Sequence, residues 1–346
     1  MSERWPRGRL AAEDASPCPM QLDRAVLKAR AEDFQVVEIP SVEPLGSGEH
    51  LWLRLEKTGL GSPQLAAELA RAFAVPEVAV GYAGMKDKHA VTEQWFSVHT
   101  PQHADALPPI GGVRVLEAHR HLRKLRRGEL GGNRFRIVLR DVTGDAWVER
   151  LATIAATGVA NYFGPQRFGG DNLQLARRWL PQRRRRRIPA FRSGLYLSVL
   201  RSFLFNEVLA ARARAGTWRW LIAGDVPMAL PLAAAAAAEA AAAEAAVAES
   251  VPTGPLWGRG RSSVADDALA VESAALAPHR ELCEGLEHAG VDQQRRSLVL
   301  RPTGLRWQRH GDDVEVEFAL PPGGYATVLL AEAFDLDTPG GLHVTA

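Results

Sequence analysis

Polar and apolar residues alternate over Phe34 to Ile39 and again over Leu51 to Glu56, the second run with Leu51, Leu53 and Leu55 in one phase. This period of two predicts two half-buried strands. The period then changes: Leu65, Leu69 and Phe73 recur at helical spacing, with Ser62 as the expected N-cap, Pro63 at the first helical position and Val75-Pro76 as the stop. Val78 and Val80 open another extended run. It gives way to Gly81-Tyr82-Ala83-Gly84, where two glycines allow tight backbone geometry, and this places Lys86-Asp87-Lys88 on a loop after a strand. Further strands are expected at Gln94 to Val98, beyond which a Pro-rich linker follows, and at Arg134 to Arg140. The latter has unlike faces, Phe135, Ile137 and Leu139 against Arg134, Arg136 and Arg140.

A helix is expected near Trp147 to Thr157, followed by a loop from Asn161 to Gly169 with exposed aromatic and polar side chains. Residues from about 170 to 300 read mainly as helix. Within them Leu200, Leu204 and Val208 are in register, and Ser202, Asn206 and Arg212 lie off that stripe. The tract Ala233 to Ala248 has strong helix propensity but little to bury, which predicts a surface helix without a site. Strand returns with Val314, Val316, Phe318 and Leu320, before a short apolar helix from Ala326 to Phe334. The stretch up to about Asp23 reads as an irregular lead-in. A β-rich region interrupted by a helical one and then resumed implies an insertion, and 346 residues suit two domains better than one core.

Hydrophobic content of 46% with 24% charge is the balance of a soluble globular protein. Cys18 and Cys283 are far apart and lack metal-ligand spacing, so neither a disulfide framework nor a zinc site is expected. With no long apolar run and no signal-like start, a cytoplasmic protein without a membrane association is expected. The net charge of +2 conceals clusters: His119 to Arg127, Arg177-Arg178, and five arginines from Arg183 to Arg187. Arginine at that density suits phosphate, and nucleic acid is the expected partner. No phosphate loop, dinucleotide turn or His-Glu-x-x-His occurs, so the chemistry is expected to come from side chains, with no metal and no cofactor. Asp87 between two lysines is a carboxylate whose charged form is favoured, which suits a nucleophile.

The run Gly81 to Val98, GYAGMKDKHAVTEQWFSV, resembles the signature of the TruD family of tRNA pseudouridine synthases. So do Lys28 with Glu32-Asp33-Phe34, Lys124-Leu125-Arg126 through Gly132-Asn133-Arg134-Phe135, and Asn161 to Gly169. Arg201 to Asn206, Gly224 to Met228, Pro252 to Gly258 and Leu320 to Thr327 follow in family order. The resemblance implies an α/β (α+β) fold. A pseudouridine-synthase catalytic domain with a mixed or antiparallel sheet, residues 1–158 and 306–346, is interrupted by a mainly helical TruD-specific insertion, residues 159–305. It implies isomerisation of uridine to pseudouridine in tRNA, with uridine-13 of the D arm as the usual target, no cofactor, and no obligate protein partner.

By the same resemblance Asp87 is the nucleophile, attacking ribose C1′ or uracil C6. Phe135 and Asn133 line the pocket for a flipped base. Lys28 pairs with Asp87, and Glu32 is a supporting carboxylate. Lys86, Tyr82, Asn161, Gln166 and Arg167 shape the cleft. The alanine-rich stretch after Met228 and the five-arginine run depart from the family pattern. Two rivals stay open on the residues alone, a non-catalytic tRNA-binding protein and an RNA glycosylase using a carboxylate at C1′.

Overall fold

The computed structural model describes residues 22–100, 109–185, 187–234 and 249–339. The expected lead-in, Cys18, part of the Pro-rich linker, Arg186 and most of the alanine tract lie outside the described residues. The chain begins with β1 (Asp23–Val26), β2 (Phe34–Pro40), β3 (His50–Lys57), α1 (Ser62–Ala72), β4 (Val80–Tyr82), β5 (Val91–His99), β6 (Val113–His121), β7 (Leu130–Leu139), α2 (Ala146–Thr157) and β8 (Val159–Ala160). A mostly helical stretch follows: α3 (Pro165–Phe168), α4 (Asn172–Trp179), α5 (Ala190–Arg214), β9 (Met228–Ala229), β10 (Ser250–Val251), β11 (Thr253–Leu256), α6 (Asp266–Leu276), α7 (Arg280–His288) and β12 (Gln294–Ser297). The chain then returns through β13 (Val299–Leu300), β14 (Thr303–His310), β15 (Asp313–Leu320), α8 (Ala326–Ala331) and β16 (Phe334–Asp337).

Among the described residues seven strands run in the order β14-β15-β7-β2-β5-β3-β6, and β4 adds an eighth on β5. The sheet is mixed, since β2 pairs parallel with β5 while its other pairs are antiparallel. This is the expected α+β class. One face carries two apolar clusters. In the first, Phe34, Val36, Phe135, Ile137 and Phe318 pack with Leu151 of α2 and Leu329 of α8. In the second, Leu51, Leu53, Leu55, Phe96 and Val98 pack with Leu65 and Leu69 of α1. Each such side chain contributes about 1.5–3 kcal/mol when fully buried, and a slip of one residue would turn a whole row to the wrong side, so register is tightly set.

The edge of β5 that faces β2 is shared. β2 pairs with it over Val91 to Glu93 and β4 over Phe96 to Val98, which leaves Gln94 and Trp95 without a strand partner on that side. The sheet splits there. The loop carrying Asp87 rises from this split, because it joins the end of β4 to the start of β5.

Several expectations are corrected. Gly61, not Ser62, is the N-cap of α1, and Ser62 is its first helical residue. Neither Gly81 nor Gly84 has a positive φ. Gly81 is needed for close packing, since a Cβ there would meet the Leu125 carbonyl oxygen at 2.3 Å. Tyr162 and Phe163 are buried rather than exposed. Off the Leu200 stripe, as expected, Ser202, Asn206 and Arg212 are buried, because α5 has an apolar cluster on each of two sides and so no solvent face at those positions. The last helix ends at Ala331, and Phe334 begins a strand parallel to β1. By length and composition α5 could cross a bilayer, but it is the packed centre of the helical half.

Candidate active site

The two apolar clusters do not meet directly. Lys57 continues the phase of Leu51, Leu53 and Leu55 on β3, Glu38 continues that of Phe34 and Val36 on β2, and Asn133 precedes Phe135 in phase on β7. Period two thus sets a polar strip into the core face. Glu38 and Asn133 lie directly opposite one another across the β2–β7 pair, and together they hold the Lys86 ammonium, at 2.8 Å and 2.7 Å. Glu38 also accepts from the Trp95 backbone N–H at 3.3 Å. It therefore covers a donor that the split in the sheet leaves unpaired.

Ser62 fixes the other side of the loop. Its hydroxyl donates to Gln94 Oε1 at 2.7 Å and accepts from the Lys86 backbone N–H at 2.9 Å. Gln94 in turn donates to the Gly84 carbonyl at 2.5 Å. Lys57 is 1% exposed and donates to the carbonyls of Leu60, at 2.7 Å, and of Asp87, at 3.2 Å. Burial pulls its ammonium down to about 8, with Lys86 adding to the effect and Asp87 opposing it.

The catalytic candidate is held by both oxygens. Asp87 Oδ1 accepts from the His89 backbone N–H at 2.9 Å, and Oδ2 is paired with Lys28. Burial pushes the carboxyl pKa upward, but Lys28 and the His89 N–H outweigh it, so it lies below its ordinary value. The cation responsible is not a chain neighbour: Lys86 is turned to Glu38, and Lys88 is exposed. Lys28 has a φ of 58°, a left-handed conformation costing about 1–3 kcal/mol in a residue with a Cβ. Its ammonium also sits 4.3 Å from the centre of the Phe34 ring.

Phe34 meets Phe135 edge-on at 6.1 Å, and Phe135 stacks on Phe318 at 5.3 Å. Phe135 is thus a core residue whose row ends at Asn133 and the lysine cluster. The structure brings together Asp87, Lys28, Lys86 and Asn133, with Phe135 next in line. Glu32 does not join them: it is exposed on the short turn Ala31–Asp33, while the buried carboxylate of the cluster is Glu38. Lys57, Glu38, Ser62 and Gln94 escaped the reading of the sequence. For Lys57, Glu38 and Gln94 the signal was a charged or amide side chain in the apolar phase of a strand, while Ser62 read only as a helix cap.

Tyr82 lies to one side, its hydroxyl accepting from Arg127 at 3.0 Å. With Lys124, Arg126, Arg127 and Val78 it lines a cavity of about 430 Å³. The Arg127 guanidinium also reaches the exposed Phe191 ring of α5, at 5.8 Å, and so bridges sheet and helical stretch. Asn161, Gln166 and Arg167 form a separate group. Asn161 donates to the Ser297 carbonyl at 2.8 Å, Gln166 Oε1 accepts from Thr327 at 3.1 Å, and Arg167 donates to the hydroxyls of Ser198 and Ser202.

A family model described as tRNA pseudouridine synthase D (TruD) matches residues 24–175 and 185–333. A protein named tRNA pseudouridine synthase D from Methylococcus capsulatus is 43% identical over 330 residues, covering 92% of this chain and 93% of that one. One of the same name from Pseudomonas putida strain W619 is 42% identical, covering 92% and 94%. A crystal structure from Methanosarcina mazei, provisionally assigned as tRNA pseudouridine synthase D, superposes with a TM-score of 0.63 at 20% identity, covering 91% of this chain and 94% of that one. That last likeness speaks for the fold, and the sequence matches speak for descent: the chain belongs to the TruD family of tRNA pseudouridine synthases.

Proposed function

We propose that the chain isomerises uridine to pseudouridine in tRNA, at uridine-13 of the D arm, with Asp87 as the nucleophile. The observation that carries this reading is the ionised Asp87 carboxylate, oriented through both oxygens by Lys28 and the His89 N–H. Asp87 attacks C1′ of the ribose or C6 of the uracil, the glycosidic bond breaks, the base turns, and C5 bonds to C1′ as the bond to Asp87 is broken, C5 loses its proton and N1 takes one up. A stacked uridine hides this bond, so the nucleotide is flipped out, with Asn133 and Phe135 bordering its pocket. Lys86, Tyr82, Asn161, Gln166 and Arg167 shape the surrounding cleft. Exposed arginines such as Arg184 and Arg185 meet phosphates.

In the same reading residues 1–158 and 306–346 are the catalytic unit and residues 159–305 the insertion. The bridge from Arg127 to Phe191 supports a substrate bound across both. The enzyme works in the cytoplasm on tRNA without an obligate protein partner. A pseudouridine map of tRNA from cells with and without the gene tests this. Loss of pseudouridine at position 13 alone is expected, and an unchanged map would reject it.

A further inference from the structure

The Asp87 cluster pairs Lys28 and Lys86 with carboxylates, whereas a second group of half-buried cations has none. Arg296, on β12, lays its guanidinium over the Phe163 ring at 4.2 Å. Its Nη2 donates to Asn161 Oδ1 at 2.6 Å and to the Gly323 carbonyl at 2.9 Å, while its Nε is buried without a hydrogen-bond partner. Arg167 approaches the same ring, 5.9 Å from its centre, and is tied only to serine hydroxyls. Among the described residues no carboxylate pairs with either arginine.

Two guanidiniums on one ring repel each other, and holding them half-buried without a counter-charge is costly. Burial draws Arg296 down to about 10, helped by Arg167 and opposed by Tyr325. The turn beneath is left bare for the guanidinium: Gly323 has a φ of +79°, and a Cβ there would lie 3.0 Å from Arg296 Nη1. The group is linked to the Asp87 cluster through β15. Leu320 lies opposite Asn133, which holds Lys86, and Gly323 is three residues further on, at most about 11 Å from Leu320.

We propose that Arg296 and Arg167 form an anion subsite that takes an RNA phosphate next to the uridine engaged at Asp87. The RNA part rests on the function proposed above; the anion site does not. Donors with fixed forks, a neutral rear wall and no resident carboxylate are what a phosphate oxygen needs in order to supply the missing charge.

Inorganic phosphate is titrated into the full-length protein at constant ionic strength, with chloride as the balance, and the melting temperature is followed. The wild type is expected to gain stability specifically from phosphate. Arg296→Gln and Arg167→Gln should each raise the half-saturating concentration about 10-fold or more, and Arg280→Gln, at the exposed start of α7, should not. No phosphate-specific gain in the wild type, or a gain that survives substitution, overturns the site. Should Arg296→Gln fail to fold, Arg167→Gln decides. In a second arm, single neutral methylphosphonate linkages are walked along a tRNA substrate. One linkage beside the target should cost the wild type about 10-fold in affinity and cost Arg296→Gln nothing more. The absence of such a linkage overturns the assignment to RNA, while a failure of uridine isomerisation leaves the phosphate titration unaffected.

Discussion

Two buried ionic groups in this molecule are built on opposite plans. Arg212 of α5 donates to both oxygens of Asp225, at 2.9 Å each, and to the carbonyls of Thr217 and Trp220, at 2.8 Å and 2.7 Å. Asp225 also accepts from the Ile222 backbone N–H at 2.8 Å. One cation meets one anion there, and nothing is left over. In the strip under Asp87, three lysines, Lys28, Lys57 and Lys86, face two carboxylates, Glu38 and Asp87. Asp87 keeps 17% of its side chain exposed. A saturated pair is a staple that fixes a fold. An unbalanced, partly open group has charge to spare for a polyanion, and burial lowers the ammonium of its Lys57.

The comparison can be broken first where it predicts the largest loss. Arg212→Ala leaves Asp225 buried and alone, and should cost about 3–5 kcal/mol in urea unfolding while activity per folded molecule holds. A cost under about 1 kcal/mol would mean that the pair staples nothing. Lys57→Met tests the opposite plan. With a folded value near 8 against 10.5, both states hold the proton below pH 8, and between the two values only the unfolded chain does. Stability relative to the variant should therefore rise across that window, by on the order of 3 kcal/mol, and stay level below it. Equal pH profiles would contradict a lysine whose ammonium burial lowers.

Lys28→Met removes the cation that holds Asp87 ionised. Its kcat/KM should fall about 10- to 100-fold at neutral pH, and the acid limb of the profile should move upward. A fall without that movement would make Lys28 a packing residue. The smallest effect belongs to Ser62→Ala, which unties the Lys86 N–H from Gln94. It should cost about 1 kcal/mol and slow turnover a few-fold.

Much of this was legible in the chain. The alternation of Leu51, Leu53 and Leu55, the helix after Pro63 and the loop before Lys86 all stand where the pattern put them. Ser62 stood in a position that reads as a cap, yet its hydroxyl serves a loop 24 residues away. Local rules do not see such a partner. Lys57 and Glu38 were legible in principle, since each continues an apolar phase with a charge. Their meaning depended on strand order, which brings β2, β3, β5 and β7 side by side. The burial of Ser202, Asn206 and Arg212 was not legible locally either: a polar stripe on a helix faces water only if nothing else packs there, and α5 is covered on both sides.

The central claim is that Asp87 is the nucleophile of a uridine isomerisation, and the C5 proton of the target base reports on it directly. Purified wild type and Asp87→Asn are incubated with tRNA tritiated at C5 of uridine, with tRNA binding measured in parallel. One tritium released to water per tRNA by the wild type, and none by a variant that binds within about 3-fold as well, is the predicted result. Release by Asp87→Asn at the wild-type rate would contradict it.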